Sequence, residues 1–391
     1  MLDSFTVENY RAFAKAQKID VRPLTLFFGW NSGGKSSLLR FLPLLAESIR
    51  ADGPPIWLGG ELGRGATWSD LVCKAAERQS LRFALEWSGD YSMRAQWDIA
   101  GDGEGRWQET QELSVSLDEG PHKSYLRDEN LMLRWLGLLP ELGGEISTLK
   151  DVLHKLSREV QWISGVRVSP PRIATFSGGV PTVLKGDGRD AMLHLIAAHL
   201  KSTAAPLLEL TGEFFLNLGD VLVLDNPAIG VWQTMLQPTN ASQVRVNICD
   251  TGEGYAQVLP VLVALARARL DGPKLLCLEQ PELHLHTRAQ LELSRALIET
   301  AKSERNPKIL VETHSEILLM SVQLAIAEGR IPPEDVRVYW VESRLDGTSE
   351  AVAVDFSETG QPIGTELQNA FGEAISLGRD LVLKQLNHGA K

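Results

Sequence analysis

Apolar and polar positions change period several times along the chain, and each change marks an element. Near the start, Phe5-Thr-Val-Glu-Asn-Tyr10 alternates and Leu24-Thr-Leu-Phe-Phe28 is a short apolar run ending on glycine, so both are predicted as strands. Alternating stretches at 81–87, 91–99 and 113–117, punctuated by Gly and Asp, predict antiparallel hairpins and hence a β-layer. Helical spacing of Leu, Ile and Trp follows over 128–165 and 188–220, with a Pro- and Gly-rich stretch at 169–188 between them. From Val244 onward, apolar strands at 274–278, 308–312, 336–341 and 351–355 alternate with helical segments, the pattern of a parallel sheet with helices on its faces. No internal repeat and no sustained heptad interrupts this order.

The expected class is therefore α/β, a mixed, mostly parallel sheet flanked by helices. Residues 1–124 would form the first half of the core with the antiparallel β-layer. Residues 125–240 would form an inserted, mainly helical lobe, and 241–391 the second half of the core with a closing C-terminal segment.

Composition narrows the class without changing it. The 391 residues are 43% hydrophobic and 23% charged, close to the balance of a globular protein. The longest apolar run, 258–266, is far too short to span a bilayer, and Met1-Leu2-Asp3 begins no secretion signal, so a cytoplasmic protein that contacts no membrane is expected. Cys73, Cys249 and Cys277 stand at no metal-binding spacing and in apolar surroundings, which predicts reduced, buried thiols with neither zinc nor disulfide. A net charge of −11 excludes a basic coat for nucleic acid over the whole surface but leaves room for a local groove. Arg158, Arg167, Arg172, Lys185 and Arg189 make 125–240 the most basic region; such scattered charges are the usual pattern of a solvated face, and DNA binding stays open.

The sharpest chemistry lies at Gly29-Trp-Asn-Ser-Gly-Gly-Lys-Ser36, a full G-x-x-x-x-G-K-[ST] match placed between an apolar strand and the helical run 36–49. Such a loop turns backbone N–H groups around Gly33 and Gly34 toward a β-phosphate, lets Lys35 reach the β- and γ-oxygens, and sets the Ser36 hydroxyl on Mg²⁺. Gly29, Asn31, Ser32, Gly33, Gly34, Lys35, Ser36 and Ser37 form the expected binding set for ATP with Mg²⁺. Leu275-Leu-Cys-Leu-Glu279-Gln-Pro-Glu282 is an apolar strand ending in acid, which makes Glu279 the expected carboxylate beside that cation. Lys308-Ile-Leu-Val-Glu-Thr-His314-Ser ends the same way, and in a parallel sheet it emerges on the same side, so His314 is expected to hydrogen-bond the γ-phosphate. His284 and His286, two apart with no thiolate, fit a loop shaping an interface better than a metal site.

With these pieces in order the chain resembles the ABC/SMC/RecF-like AAA ATPases, including the overcoming-lysogenisation-defect proteins. More closely, it resembles small prokaryotic P-loop ATPases with a C-terminal domain of unknown function, a superfamily some of whose members serve in anti-phage defence. The likeness rests on Glu8-Asn-Tyr-Arg-Ala-Phe13, the phosphate loop, Asp250-Thr-Gly-Glu-Gly-Tyr-Ala-Gln257, Glu279-Gln-Pro-Glu-Leu-His-Leu-His286 and Glu312-Thr-His-Ser315. It implies a P-loop NTPase fold of ABC type and ATP hydrolysis. It also implies that the Asp-x-Gly-x-Gly-x-x-Gln element opens a helix aimed, through Gly252 and Gly254, at the γ-phosphate held by a second subunit. ATP would then close a homodimer, with Arg11 near the nucleotide.

One position departs from the pattern. ABC-type ATPases usually place a general-base Glu directly after the metal carboxylate, and here that residue is Gln280. An amide orients water but cannot take its proton. Either Gln280 is native and Glu282 or the substrate phosphate accepts the proton, or the chain is a Glu→Gln trap, or it is a switch that barely hydrolyses; the first is preferred. Glu279, Gln280, Glu282 and His314 are the expected catalytic set. The resulting functions are a nucleotide-dependent dimeric switch in prokaryotic defence or DNA transactions, or an ATP-gated scaffold holding a separate effector such as a nuclease in trans. Too few residues follow His314 for an appended nuclease domain.

Overall fold

The run Leu24–Gly29 becomes the middle strand of a seven-stranded sheet in the computed structural model, which describes residues 1–365 and 367 apart from 52, 77–78, 90–91, 119, 128–133, 202–205 and 242. Strand order is Val160–Ile163, Leu275–Glu279, Lys308–Glu312, Leu24–Gly29, Val336–Ser343, Ser349–Phe356, Pro362–Ile363. The first five run parallel, and the last two are added antiparallel. The class read from the sequence, α/β with a mixed and mostly parallel sheet, is the one observed.

Parallel strands need cover on both faces, and period-two alternation supplies it. Leu24, Leu26, Leu276, Leu278, Ile309 and Val311 face helices Glu253–Arg269, Thr287–Ala301 and Glu316–Ala327 in one buried cluster. Phe27, Leu275, Cys277 and Leu310 point the other way, toward helix Lys35–Ala51 and helix Glu145–Glu159. Helix Lys35–Ala51 is clamped from its far side by a second, six-stranded antiparallel sheet built on Leu2–Glu8, Gln17–Asp20, Leu81–Trp87, Met93–Gly101, Gln108–Leu117 and Lys123–Leu126. An aromatic file joins the two, Phe5 to Phe41 at 5.5 Å, Phe41 to Phe83 at 5.3 Å and Phe83 to Trp97 at 4.7 Å. The expected β-layer is thus present, and it fixes the helix that follows the phosphate loop.

Residues 125–240 differ from the separate helical lobe expected of them. Val160–Ile163 is an edge strand of the central sheet, paired with Leu275–Leu278. Helix Glu145–Glu159 packs on helix Lys35–Ala51, and helices Ala191–Lys201 and Pro206–Leu218 pack on Glu253–Arg269. The longest remaining element is a hairpin, Asp220–Ala228 with Val231–Pro238. The four residues of Val160–Ile163 are buried on both faces and so show no alternation that would have marked them as strand. Helical spacing over 128–165 accordingly held only for its middle; 128–133 lie outside the described residues, as do Tyr91 at the start of the expected 91–99 strand and most of the closing segment after 365.

All three cysteines are free, Cys73 and Cys277 buried and Cys249 only partly so. Among the described residues no helix is long and apolar enough to cross a membrane.

Candidate functional site

The phosphate loop joins the C-terminal end of the central strand to helix Lys35–Ala51, and its backbone needs glycine. Gly29 has φ +141 and a Cβ there would sit 2.1 Å from the Val341 carbonyl oxygen; Gly34 has φ +100 and faces the Phe13 ring at 2.8 Å. Ser32 takes the left-handed region at φ 65 without that freedom, a local cost common at ligand sites. The first N–H groups of the helix, at Lys35 and Ser36, have no acceptor within it and open on the cavity. Lys35 Nζ is 3.0 Å from the Gly29 carbonyl and 2.7 Å from that of Trp30, donating to both. Burial holds the Lys35 ammonium below the ordinary lysine value, and Glu312 pulls it partly back.

Around this loop lies an open cavity of about 940 Å³, lined among others by Arg11, Asn31, Ser32, Gly34, Lys35 and Ser36. Ser37, Arg40, Glu279, Gln280, Glu312 and His314 complete the part of its wall that bears on the chemistry. The sheet explains this convergence. Glu279 is in register with Glu312, and Glu312 with Phe27, so three parallel strands end side by side on the loop. Arg11 reaches the cavity from a tight turn after the first strand, at φ 52, with its N–H donated to the Leu71 carbonyl at 2.7 Å. The first strand itself stops at Glu8, two residues short of the Tyr10 that its alternation predicts.

The strand-end acids are held differently. Glu279 receives the Arg40 guanidinium on both oxygens, the Trp162 indole N–H at 2.7 Å and the Gly165 N–H at 3.4 Å. Glu312 accepts the Ser36 hydroxyl at 2.7 Å on Oε1, and burial pushes its carboxyl up from the usual range. Gln280, at φ 40, donates its N–H to the Glu312 carbonyl at 2.8 Å. Glu282 does not line the cavity. Its Oε1 accepts from the Thr313 hydroxyl at 2.7 Å and the His314 N–H at 3.1 Å, and burial raises its affinity for a proton. His314 does line it, and burial, followed by the Lys35 charge, lowers its pKa and keeps the ring neutral at neutral pH.

Gly252 and Gly254 lie outside the cavity, at the start of helix Glu253–Arg269. Gly252 is the N-cap, has no side-chain cap, and a Cβ on it would meet nothing within 4 Å. Gly254 is packed on the chain itself, a Cβ there standing 2.4 Å from the His284 carbonyl oxygen. The same motif reaches the cavity indirectly: Gln257 Nε2 donates to the Arg167 carbonyl at 2.9 Å, and the Arg167 guanidinium donates to the carbonyls of Ser164, Glu279 and Gln280. Burial lowers the Arg167 pKa to about 10. Arg167 is thus an internal brace, Arg172 pairs with Asp250 at 2.7 Å, and Arg189 pairs with Asp187, so the basic character of 125–240 is largely consumed by neighbours.

Sequence reasoning missed Arg40, Trp162, Arg167 and Glu312 as members of the site. Arg40 was accessible, since it lies one helical turn beyond Ser36 on the same face. Glu312 ends an apolar strand just as Glu279 does, two residues before His314.

Residues 190–319 match the family model of the AAA ATPase domain. That stretch holds Gly252, Glu279 and His314 but not the phosphate loop. The fold is similar to an SMC head crystallised with the C-winged helix domain of ScpA, with a TM-score of 0.55 at 12% identity over 90% of this chain and 98% of that one. It is also similar to the Smc head domain with a coiled coil and joint from Pyrococcus yayanosii, with a TM-score of 0.50 at 10% identity over 94% and 98%. No curated protein matches the chain.

Proposed function

We propose, from the AAA ATPase domain of residues 190–319 and the SMC-head fold, that the protein binds ATP with Mg²⁺ at the phosphate loop and hydrolyses it as a nucleotide-dependent dimeric switch. The carrying observation is the convergence of Lys35, Ser36, Glu279, Gln280, Glu312 and His314 on one cavity at the loop. The residues fit the group. Loop N–H groups and Lys35 suit phosphate oxygens, while the Ser36 hydroxyl and carboxylate oxygens suit a hard cation that takes oxygen ligands. When bound, that cation neutralises phosphate charge. Lys35 and the neutral His314 then bracket the terminal phosphate, Arg11 reaches toward the nucleotide, and Gln280 orients an attacking water whose proton goes to Glu282 or to the phosphate itself.

The N-terminus at Gly252 has no side-chain cap among the described residues, and its open side supports a role toward the nucleotide of a second copy. Partner proteins fit the same reading, since an SMC head of this fold was crystallised with a domain of ScpA. Work in prokaryotic defence or on DNA, with a nuclease acting in trans, remains the functional setting proposed from the sequence motifs. Gln280 beside Glu279 favours a second reading, a scaffold gated by ATP that hydrolyses little.

Light scattering and phosphate release test the first reading together. ATP with Mg²⁺ should double the mass of the wild-type chain, and Gly252→Arg should stay monomeric while binding ATP, because its side chain projects into open space rather than into the fold. Undiminished dimer formation by Gly252→Arg would reject the trans role. Gly254 is unsuitable for this test because its neighbour His284 leaves no room.

A further inference from the structure

Glu312 is one strand from the phosphate-loop strand, whereas Glu279 is two strands away, and adjacent strands lie about 4.8 Å apart. The two acids differ more in their partners than in their place. Both oxygens of Glu279 are engaged by Arg40, and Trp162 and Gly165 add further N–H donors. A cation taking Glu279 directly would have to displace a guanidinium whose geometry matches the carboxylate. Glu312 is only 5% exposed, uses Oε1 for the Ser36 hydroxyl, and keeps Oε2 buried with no hydrogen-bond partner among the described residues. A buried carboxylate oxygen without a partner is costly, and one that also belongs to a cavity-lining residue calls for a ligand such as a water or an ion.

We propose that Glu312, together with Ser36, supplies the protein ligands of the divalent cation that accompanies the nucleotide. Glu279 stands behind them, locked by Arg40 and Trp162 and acting as a fixed negative charge. A Ser hydroxyl can give a lone pair to a cation while its O–H donates to a neighbouring oxygen, and Glu312 Oε1 already accepts that hydrogen bond at 2.7 Å. Glu312 lines the cavity beside Ser36 and Lys35, and Oε2 is its oxygen left for the metal. The inference rests on nucleotide binding at the phosphate loop and assigns its cation.

Calorimetric titration of ADP into the full chain, with Mg²⁺ and again with EDTA, reads the cation directly and without turnover. Mg²⁺ should tighten ADP binding to the wild type. Glu312→Gln should lose about tenfold or more of that gain, the scale set by altering a metal's ligand environment, while its affinity in EDTA stays within about threefold of wild type. Glu279→Gln should keep most of the gain. Metal-free ADP binding reports that each variant is folded. If Glu312→Gln fails that control, Glu312→Asp, which keeps the charge but draws it back by one methylene, should bind in EDTA and show a reduced Mg²⁺ gain. A full wild-type gain in Glu312→Gln, or in Glu312→Asp where that variant is needed, overturns the assignment, as does a wild type that binds ADP equally with and without Mg²⁺. A wild type that binds no nucleotide in either buffer rejects the underlying nucleotide reading instead.

Discussion

At the scale of single residues, the unusual feature is an amide where a base is expected. Gln280 sits on the cavity wall in a left-handed conformation, with its N–H tied to the Glu312 carbonyl, so its backbone is fixed and its side chain is placed to hold water. Glu282, whose proton affinity burial raises, faces the Thr313–His314 turn and not the cavity, so a proton reaches it only through an intervening group. Gln280→Glu should therefore change steady-state hydrolysis by less than about a hundredfold, the middle of the range for gaining or losing a positioned base. A larger acceleration would mark the present chain as a disabled enzyme. In Glu282→Gln, a loss of about a hundredfold with ATP affinity intact would make Glu282 the acceptor; a smaller loss would leave the phosphate in that role. The phosphate loop was legible in the sequence because its chemistry is local and contiguous. Trp162 and Arg167 were not, because each meets the Glu279 strand end through a contact made only once strands 160–163 and 275–279 pair.

Among the elements, strands with clean alternation or a clear apolar run between turn residues were readable, and the edge strand Val160–Ile163 was not. Helix Glu253–Arg269 shows how a nearly featureless apolar run, 258–266, becomes the most enclosed helix of the core. Helix Ala191–Lys201 packs against it and buries His194, which is 3% exposed, its Nε2 without a hydrogen-bond partner among the described residues and 4.0 Å from Asp190 Oδ2. Burial, then the charge of Arg267, pushes the His194 pKa down to about 3. Because the folded value lies below the unfolded one, the unfolded chain takes the proton first. This stability is complete above about pH 6.5 and is lost as pH falls toward 3, at up to about 1.4 kcal/mol per pH unit. Glu282 and Glu312, whose carboxyls burial raises, act with the opposite sign but equally in wild type and a His194 variant; Asp190, raised likewise, lies 4.0 Å from His194 Nε2. Denaturant midpoints at pH 7.5 and 5.0 should thus show His194→Gln losing less stability than wild type on acidification, by roughly 1–2 kcal/mol. Parallel losses would mean that His194 is not kept neutral by the fold.

For the whole molecule, the order of strands and helices from 244 onward was readable because parallel α/β units repeat one pattern, whereas the fate of 125–240 depended on partners far away in sequence. The Pro- and Gly-rich stretch at 169–188 is tied into the body of the fold, where the Ser164 and Val168 N–H groups donate to the Gly186 and Asp187 carbonyls. What this arrangement achieves is a single surface where the loop, the acidic strand ends and the neutral histidine meet, and the central claim is that ATP is held there. Equilibrium calorimetry of ATP with Mg²⁺ on the wild type and on Lys35→Ala tests it most directly, since that substitution removes the cation from the floor of the loop. Saturable one-to-one binding to the wild type, weakened at least about a hundredfold in Lys35→Ala, is the predicted result; equal affinity in the two proteins, or no binding to the wild type, would contradict the account.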